Sequence, residues 1–295
     1  MRIIGVDIGG TSVKMGVLNL EGKITDMRRI DMLPGEPELM AEKISQAVLE
    51  LKPDIVGVGT AGDVNRKTGL VDAGNLRWRG VPLQAMLEQK IKKPVWVDND
   101  AQAALVAEWH SGACKGAQCA VCITLGTGLG GGLLIEGKPW RGSANTAFEL
   151  GHIITNGREY KPGTIEGHLE YYASGIALSR MSGGKPAREV IEDIIAGEPE
   201  ARRIFDIFIH ELGIGIISVL RLFTPEVVVL GGGISSVGDY LLNGVRQKMS
   251  ELIPGHSVDY WQGRIKLAVH QNDAGMIGAA ALAKLYLKNI QGESL

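Results

Sequence analysis

Two stretches of this chain set glycine runs between apolar strands. Val6-Asp7-Ile8-Gly9-Gly10-Thr11 leaves the first strand of the chain, and Thr124-Leu125-Gly126-Thr127-Gly128-Leu129-Gly130-Gly131-Gly132 repeats the plan further on. Glycine lets backbone N–H groups approach an anion with no Cβ in the way, so two such turns imply a phosphate held from two sides. Asp7, at the edge of the first turn, adds a hard oxygen suited to Mg²⁺. Neither turn is a Walker loop or a Rossmann GxGxxG, because strand patterning rather than a helix follows each glycine run. The chemistry indicated is that of a nucleotide-phosphate enzyme.

A third motif, Asp98-Asn99-Asp100-Ala101, falls where a short apolar strand meets a helix, with Glu108 two turns further along. A carboxylate there lies near the positive end of the helix dipole, stays ionised, and can still accept a proton from a bound hydroxyl. The same position also suits plain helix capping by Asn99 or Asp100. A fourth group, Glu149-Leu150-Gly151-His152 with His168-Leu169-Glu170, concentrates in-plane donors and acceptors of the kind sugar hydroxyls require. Solvated loop residues are the alternative for each of these taken singly.

The elements that must carry these groups read as β-β-β-α-β-α-β-α. Strands are expected over 2–8, 13–19 and 24–32, then a helix over 41–51 and a strand over 54–59 that ends in Thr60-Ala61-Gly62. A helix over 82–90, a strand over 95–97 and a helix over 101–111 complete this half. The second half restarts at Gln118 with its own glycine hairpin. An irregular stretch, 137–175, follows; long loops of this kind in a compact chain are usually functional. Helices over 187–195 and 199–223, a strand over 226–230 ending in Gly231-Gly232-Gly233, a strand over 265–270 and a helix over 274–287 close the chain. Each glycine turn leads to a strand and then to an E-G-K hairpin, Glu21-Gly22-Lys23 and Glu136-Gly137-Lys138, so the halves read as duplicated.

At 295 residues, with 45% hydrophobic and 22% charged, the chain suits two soluble domains. A net charge of −2 supplies no basic field, which argues against nucleic acid as a partner. No apolar run approaches the roughly 20 residues of a membrane span, and the N-terminus enters a strand at once, so a cytoplasmic address is expected. Cys119 and Cys122 are three apart on a strand and point to opposite faces. They and Cys114 are therefore expected as buried thiols rather than as a disulfide or metal pair. The segment 207–222, with Ile214, Ile216, Ile217, Val219 and Leu220, is apolar around much of its circumference and suggests a homodimer surface.

Together these motifs resemble those of the ROK family of sugar kinases, in the larger group with the actin and hexokinase fold. The matching residues are Asp7-Ile8-Gly9-Gly10-Thr11 with Lys14 and Gly16, Asp98-Asn99-Asp100-Ala101 continuing to Glu108, Leu125 to Gly132, Glu149-Leu150-Gly151-His152 and Gly231-Gly232-Gly233-Ile234. The resemblance implies an α/β protein of two ribonuclease H-like domains flanking a cleft. The domains expected are 1–117, completed by the helix 274–295, and 118–273, which carries the sugar loop, with a hinge near 118. It implies Asp100 as general base toward the sugar 6-hydroxyl, and Asn75, Asn99, Glu149, His152 and Glu170 as sugar contacts. ATP and Mg²⁺ are the implied cofactors. Asp7 would serve Mg²⁺ mainly through water, and Gly9, Gly10, Thr11, Lys14, Gly126, Thr127, Gly128, Gly130, Gly131, Gly232 and Gly233 would lie along the nucleotide.

The chain departs from the family pattern twice. Phe148 stands where glycine is usual before Glu149. The zinc-binding CxCGxxGCxE run of many members is matched by Tyr160 to Glu170, with every cysteine absent and His168 in the last cysteine's place, so no zinc is expected. A zinc-free and hence looser loop would admit a 2-acetamido group, which puts N-acetylmannosamine ahead of glucose as the expected substrate. Some family members are sugar-responsive repressors with a helix-turn-helix ahead of the first phosphate motif. Six residues precede Asp7, which favours a kinase. A sugar-binding regulatory protein without kinase activity is the other alternative, and the retention of Asp7, Asp100 and both turns counts against it.

Overall fold

The computed structural model describes residues 1–19, 22–143 and 148–291. Two compact units emerge, one from residues 1–115, 139–143 and 272–291, the other from 116–138 and 148–271. The chain is a mixed α/β protein with two separate five-stranded sheets.

The first unit contains β1 (Ile3–Ile8), β2 (Ser12–Leu18), β3 (Ile24–Asp31), α1 (Pro37–Glu50), β4 (Ile55–Thr60), β5 (Asp63–Asn65), β6 (Leu70–Ala73), β7 (Trp78–Val81), α2 (Leu83–Ile91), β8 (Val95–Asn99) and α3 (Asp100–Ser111). Its main sheet has the order β3-β2-β1-β4-β8; β1 is antiparallel to β2 and parallel to β4. β1 and β4 are buried along nearly their whole length, which is why they read as continuous apolar runs.

The second unit restarts with β9 (Ala120–Leu125) and β10 (Leu129–Ile135); the short β11 (Lys138–Trp140) pairs with β10, and the chain passes within it, at 139, to the first unit. Then come α4 (Leu169–Tyr172), α5 (Gly175–Met181), α6 (Ala187–Ala196), α7 (Pro199–Phe223), β12 (Val227–Gly231), α8 (Asp239–Leu252), α9 (Val258–Gln262) and β13 (Ile265–Leu267). The sheet order β11-β10-β9-β12-β13 repeats the first, again with an antiparallel hairpin and a parallel third neighbour. The duplication expected from the two glycine turns is thus present in the strand order itself. Of the two E-G-K hairpins, the second is a two-residue turn with both Glu136 (φ 52°) and Gly137 (φ 67°) left-handed. The first lies partly outside the described residues, at Leu20 and Glu21.

The last helix, α10 (Ala274–Gln291), joins the first unit through glycine. A Cβ on Gly5 or Gly57 would run into the Met276 or Ala279 carbonyl, and one on Gly278 into that of Ala103. α10 therefore lies directly against the backbones of β1, β4 and α3, a separation only glycine permits.

The pattern reading missed several elements. The three-stranded sheet β5-β6-β7 is built from strands of three or four residues, too short for alternation to register. α8 begins at Asp239 after Gly238, whose φ is 69°. α1 starts earlier than its apolar periodicity indicates, because Pro37 occupies the first helical turn. In α7, Ile216, Val219 and Leu220 are buried within the unit with Phe205, Phe208 and Leu212. The apolar circumference that suggested a partner surface is thus largely answered internally, leaving Ile207 and Leu222 as the exposed large apolar residues of that helix. Cys114, Cys119 and Cys122 are free thiols; Cys114 and Cys122 are buried, whereas Cys119, just ahead of the strand, is only partly so. Among the described residues no helix is long and apolar enough to cross a membrane.

Candidate active site

In the first unit, β8 delivers Asn99 as the N-cap of α3 and Asp100 as its first helical residue. Asn99 Oδ1 accepts the N–H groups of Ala101 and Gln102 at 2.9 and 3.2 Å, while Nδ2 donates to the Gly62 carbonyl at 3.0 Å. Capping therefore falls to Asn99, and it engages Oδ1 and one N–H of Nδ2. Asp100 Oδ1 accepts the Ala101 N–H at 2.8 Å, which keeps the carboxylate at the positive end of the helix. Glu108 is wholly buried, and its Oε2 accepts the Ala113 N–H at 2.7 Å. It closes the far end of α3 and has no part in the site.

The first glycine turn joins β1 to β2 and is fixed by the Gly9 N–H donating to the Ser12 carbonyl at 3.0 Å. Gly10 and Thr11 are exposed. Asp7 pairs across the hairpin with Lys14, and its carboxyl group packs against Gly275 at the start of α10. Burial there raises its pKa, with the Lys14 charge working against the rise. A carboxylate short of solvent and placed beside a glycine turn fits a divalent cation, which would supply the charge its surroundings withhold. Lys14 Nζ lies 3.4 Å from the Asn272 carbonyl. Asn75, expected among the sugar contacts, stands on a short turn with its Nδ2 3.7 Å from where a Cβ on Gly10 would sit. The structure thus brings it to the first phosphate turn.

In the second unit the turn between β9 and β10 has its carbonyls drawn inward. The Gly175 and Ile176 N–H groups, from the start of α5, donate to the Gly126 and Thr127 carbonyls at 2.8 and 3.1 Å, and the Gly126 N–H donates to the Gly128 carbonyl at 3.0 Å. Withdrawing acceptors from the turn is what an anion cradle requires. Sequence reasoning missed α5, although Ser174 ahead of the apolar run at Ile176 is an N-cap signal, and its Oγ accepts the Ala177 N–H at 3.2 Å. Gly130 is half-buried in β10. Gly131, expected along the nucleotide, is buried instead, with a Cβ there 2.7 Å from the Phe148 ring. Gly232, with φ 83°, packs on the Leu125 backbone and passes the chain through Gly233 into the turn before α8.

Glu149, Gly151, His152 and Glu170 gather around that second turn. Gly151 is squeezed between the Leu129 carbonyl and Glu170, where any side chain would clash. Glu149 and His152 are exposed at the two ends of a short 3₁₀ turn, and the His152 ring stands perpendicular to that of His168 with centroids 5.8 Å apart. The loop between them is fastened. Thr155 and Asn156 N–H groups both donate to the Gly167 carbonyl, the Leu169 N–H donates to the Ile153 carbonyl at 2.9 Å, and Lys161 pairs with Glu166 at 2.6 Å. The Tyr172 hydroxyl, its pKa pushed up to about 12 by desolvation and the neighbouring carboxylate, donates to Glu159 at 2.5 Å. Among the described residues no three His, Cys, Asp or Glu side chains are grouped to hold a metal.

The chain is similar to known proteins along nearly its whole length. The pattern of the ROK family matches residues 3–285. A glucokinase of Streptomyces coelicolor is 36% identical, with 95% of this chain and 97% of that protein covered. Among solved structures, a ROK family glucokinase from Streptomyces griseus in complex with glucose and AMPPNP superposes with a TM-score of 0.85 at 33% identity, covering 97% of this chain and all of that one. A ROK hexokinase from Thermus thermophilus gives 0.84 at 29% identity, covering 98% and 100%.

Proposed function

Since this chain belongs to the ROK family and is an ATP-dependent sugar kinase, we propose that it phosphorylates a hexose at the 6-hydroxyl, with Asp100 as general base and glucose as the first substrate. The observation that carries the reading is the Asp100 carboxylate in the first turn of α3, within the same unit as Asp7 and the first glycine turn.

Asp100 takes the proton from the 6-hydroxyl as that oxygen bonds to the γ-phosphorus. The bond from phosphorus to the bridging oxygen breaks, and ADP leaves with the electron pair. Asp7 would hold Mg²⁺, mainly through water, and the ion would supply charge neutralisation for the phosphates. The turns, shaped by the Gly9 and Gly126 N–H bonds to Ser12 and Gly128, offer the backbone N–H groups of Gly10, Thr11, Thr127 and Gly128, and Lys14 adds a cation. Phosphoryl transfer asks a protein chiefly for alignment and charge neutralisation, so these groups suffice. Glu149, His152 and Glu170, gathered within the second unit, are the proposed sugar contacts.

Glucose moves ahead of N-acetylmannosamine for two reasons. The loop is closed by backbone hydrogen bonds at Ile153, Thr155, Asn156 and Gly167, which counts against the looseness that an acetamido group would need. The relatives from both Streptomyces species are glucokinases. A coupled ADP-release assay over a panel of hexoses tests the proposal. ADP release with glucose at a kcat/KM at least tenfold above N-acetylmannosamine, about 1.4 kcal/mol of transition-state preference, is the expected result. Sugar binding by calorimetry without ADP release would overturn it in favour of a regulatory sugar-binding protein.

A further inference from the structure

Asp98, two residues before the proposed base, is 2% exposed and gripped by one guanidinium. Arg141 Nη1 donates to its Oδ1 at 2.9 Å, and Nη2 lies 2.7 Å from Oδ2. The same Oδ1 accepts the N–H of Asn99 at 2.9 Å. On the other side of the base Gln102, also buried, donates through Nε2 to the Trp140 carbonyl at 3.3 Å. Trp140 and Arg141 are consecutive, so one short segment is fastened to the β8–α3 junction both before and after Asp100. The Arg66 guanidinium lies 3.0 Å over the Trp96 ring, which itself packs on Tyr286. Burial and the nearby Arg141 lower the Arg66 pKa to about 10, with the charge of Asp98 opposing.

A buried ion pair is a poor source of stability, because desolvation offsets most of its Coulombic gain, but a bidentate guanidinium fixes geometry as no other side chain does. We infer that Arg141 is a positioning residue for phosphoryl transfer. With Oδ1 bonded to both Arg141 Nη1 and the Asn99 N–H, and Oδ2 paired by charge with Nη2, Asp98 is fixed in place; its grip on the Asn99 N–H sets the cap of α3, and the cap sets the direction in which Asp100 leaves the helix. The inference rests on Asp100 being the base of a sugar kinase. A lysine at 141 keeps the charge but loses the fork, so it separates positioning from charge balance.

The test compares Arg141→Lys and Gln102→Met with the wild type and Asp100→Asn. Each is measured for kcat, for KM toward glucose and ATP, and for melting temperature. Arg141→Lys is expected to lower kcat tenfold or more with both KM values within about threefold of wild type and the melting transition retained. Gln102→Met, which opens the second fastening without stranding a charge, is expected to lower kcat several-fold in the same pattern. It decides the matter if the first variant folds poorly. An active wild type beside a silent Asp100→Asn establishes the kinase reading separately. Unchanged kcat in both test variants on that background overturns the positioning role alone, as does a loss of activity that tracks only the loss of folded protein.

Discussion

The carboxylate of Glu170 accepts the backbone N–H of Leu129 at 2.8 Å, and the same oxygen fills the space that a Cβ on Gly128 would need. A residue proposed to hold the sugar thus also holds the second phosphate turn, with one oxygen on the backbone and the other left for a ligand. A fixed carboxylate orients a hydroxyl more sharply than a mobile one, and its anchor makes the shape of the turn depend on it.

Two variants of Glu170 separate these roles. Glu170→Gln keeps a carbonyl oxygen able to accept from Leu129, so KM for ATP should stay near wild type while KM for the sugar rises about tenfold, the scale of one charge-assisted hydrogen bond. Glu170→Ala removes both contacts and should raise both KM values. Two-substrate steady-state kinetics checks this; an unchanged ATP KM in the alanine variant contradicts the link to the turn.

Asp100→Asn removes the base while leaving the Ala101 N–H its acceptor. Turnover should fall by roughly 10² or more, with glucose affinity by calorimetry nearly intact. Near-wild-type turnover excludes Asp100 as the base.

Asp7→Asn should raise the melting temperature of the ligand-free protein at neutral pH while abolishing Mg²⁺-dependent activity. Burial raises the folded-state pKa of Asp7, so the folded form binds the proton more tightly than the unfolded one and loses stability as pH rises through that raised value. The asparagine carries no such cost. Its advantage should fade as pH falls into the ordinary carboxylate range, where the wild-type group is protonated in both states. Melting curves over pH 4 to 8, at roughly unit steps spanning the usual carboxylate and neutral ranges, measure the difference. A wild type more stable than the variant at neutral pH refutes the account.

The loop from His152 to Glu170 is closed by backbone pairing, with Ile154 bridged to His168 and Gly167 taking two N–H groups. The purified enzyme should therefore keep its activity after exhaustive chelation once Mg²⁺ is returned. Elemental analysis finding about one zinc per chain, together with lost activity, contradicts this.

The sequence was most legible where backbone geometry demands a residue type. The glycine turns at Gly9-Gly10 and Gly126 to Gly128, the Asn99 cap and the hairpin at Glu136-Gly137 all constrain the chain locally, and all are found where expected. The illegible parts depend on partners distant in sequence. Nothing near Arg141 announces Asp98, and nothing near Glu170 announces Leu129. Gly131 reads as one more phosphate glycine until the Phe148 ring is seen lying over it. The apolar residues of α7 read as a partner surface because periodicity counts apolar faces without knowing how many the same unit will cover.

Phe148 departs from the family's glycine and adopts φ 74°, a left-handed conformation that costs a residue with a Cβ of order 1 kcal/mol. Its ring repays part of that by covering Gly131 and meeting Phe223 edge-on at 5.6 Å between centroids. Phe148→Gly relieves the backbone but loses the ring, and Phe148→Ala loses the ring while keeping the strain. Both variants should destabilise, and glycine should be the more stable of the two by about 1 kcal/mol, the reverse of the usual ranking. Urea denaturation checks the order, because a positive φ is the one local feature that favours glycine over alanine. An alanine variant equal to or more stable than the glycine variant shows that the left-handed backbone at 148 is not under strain.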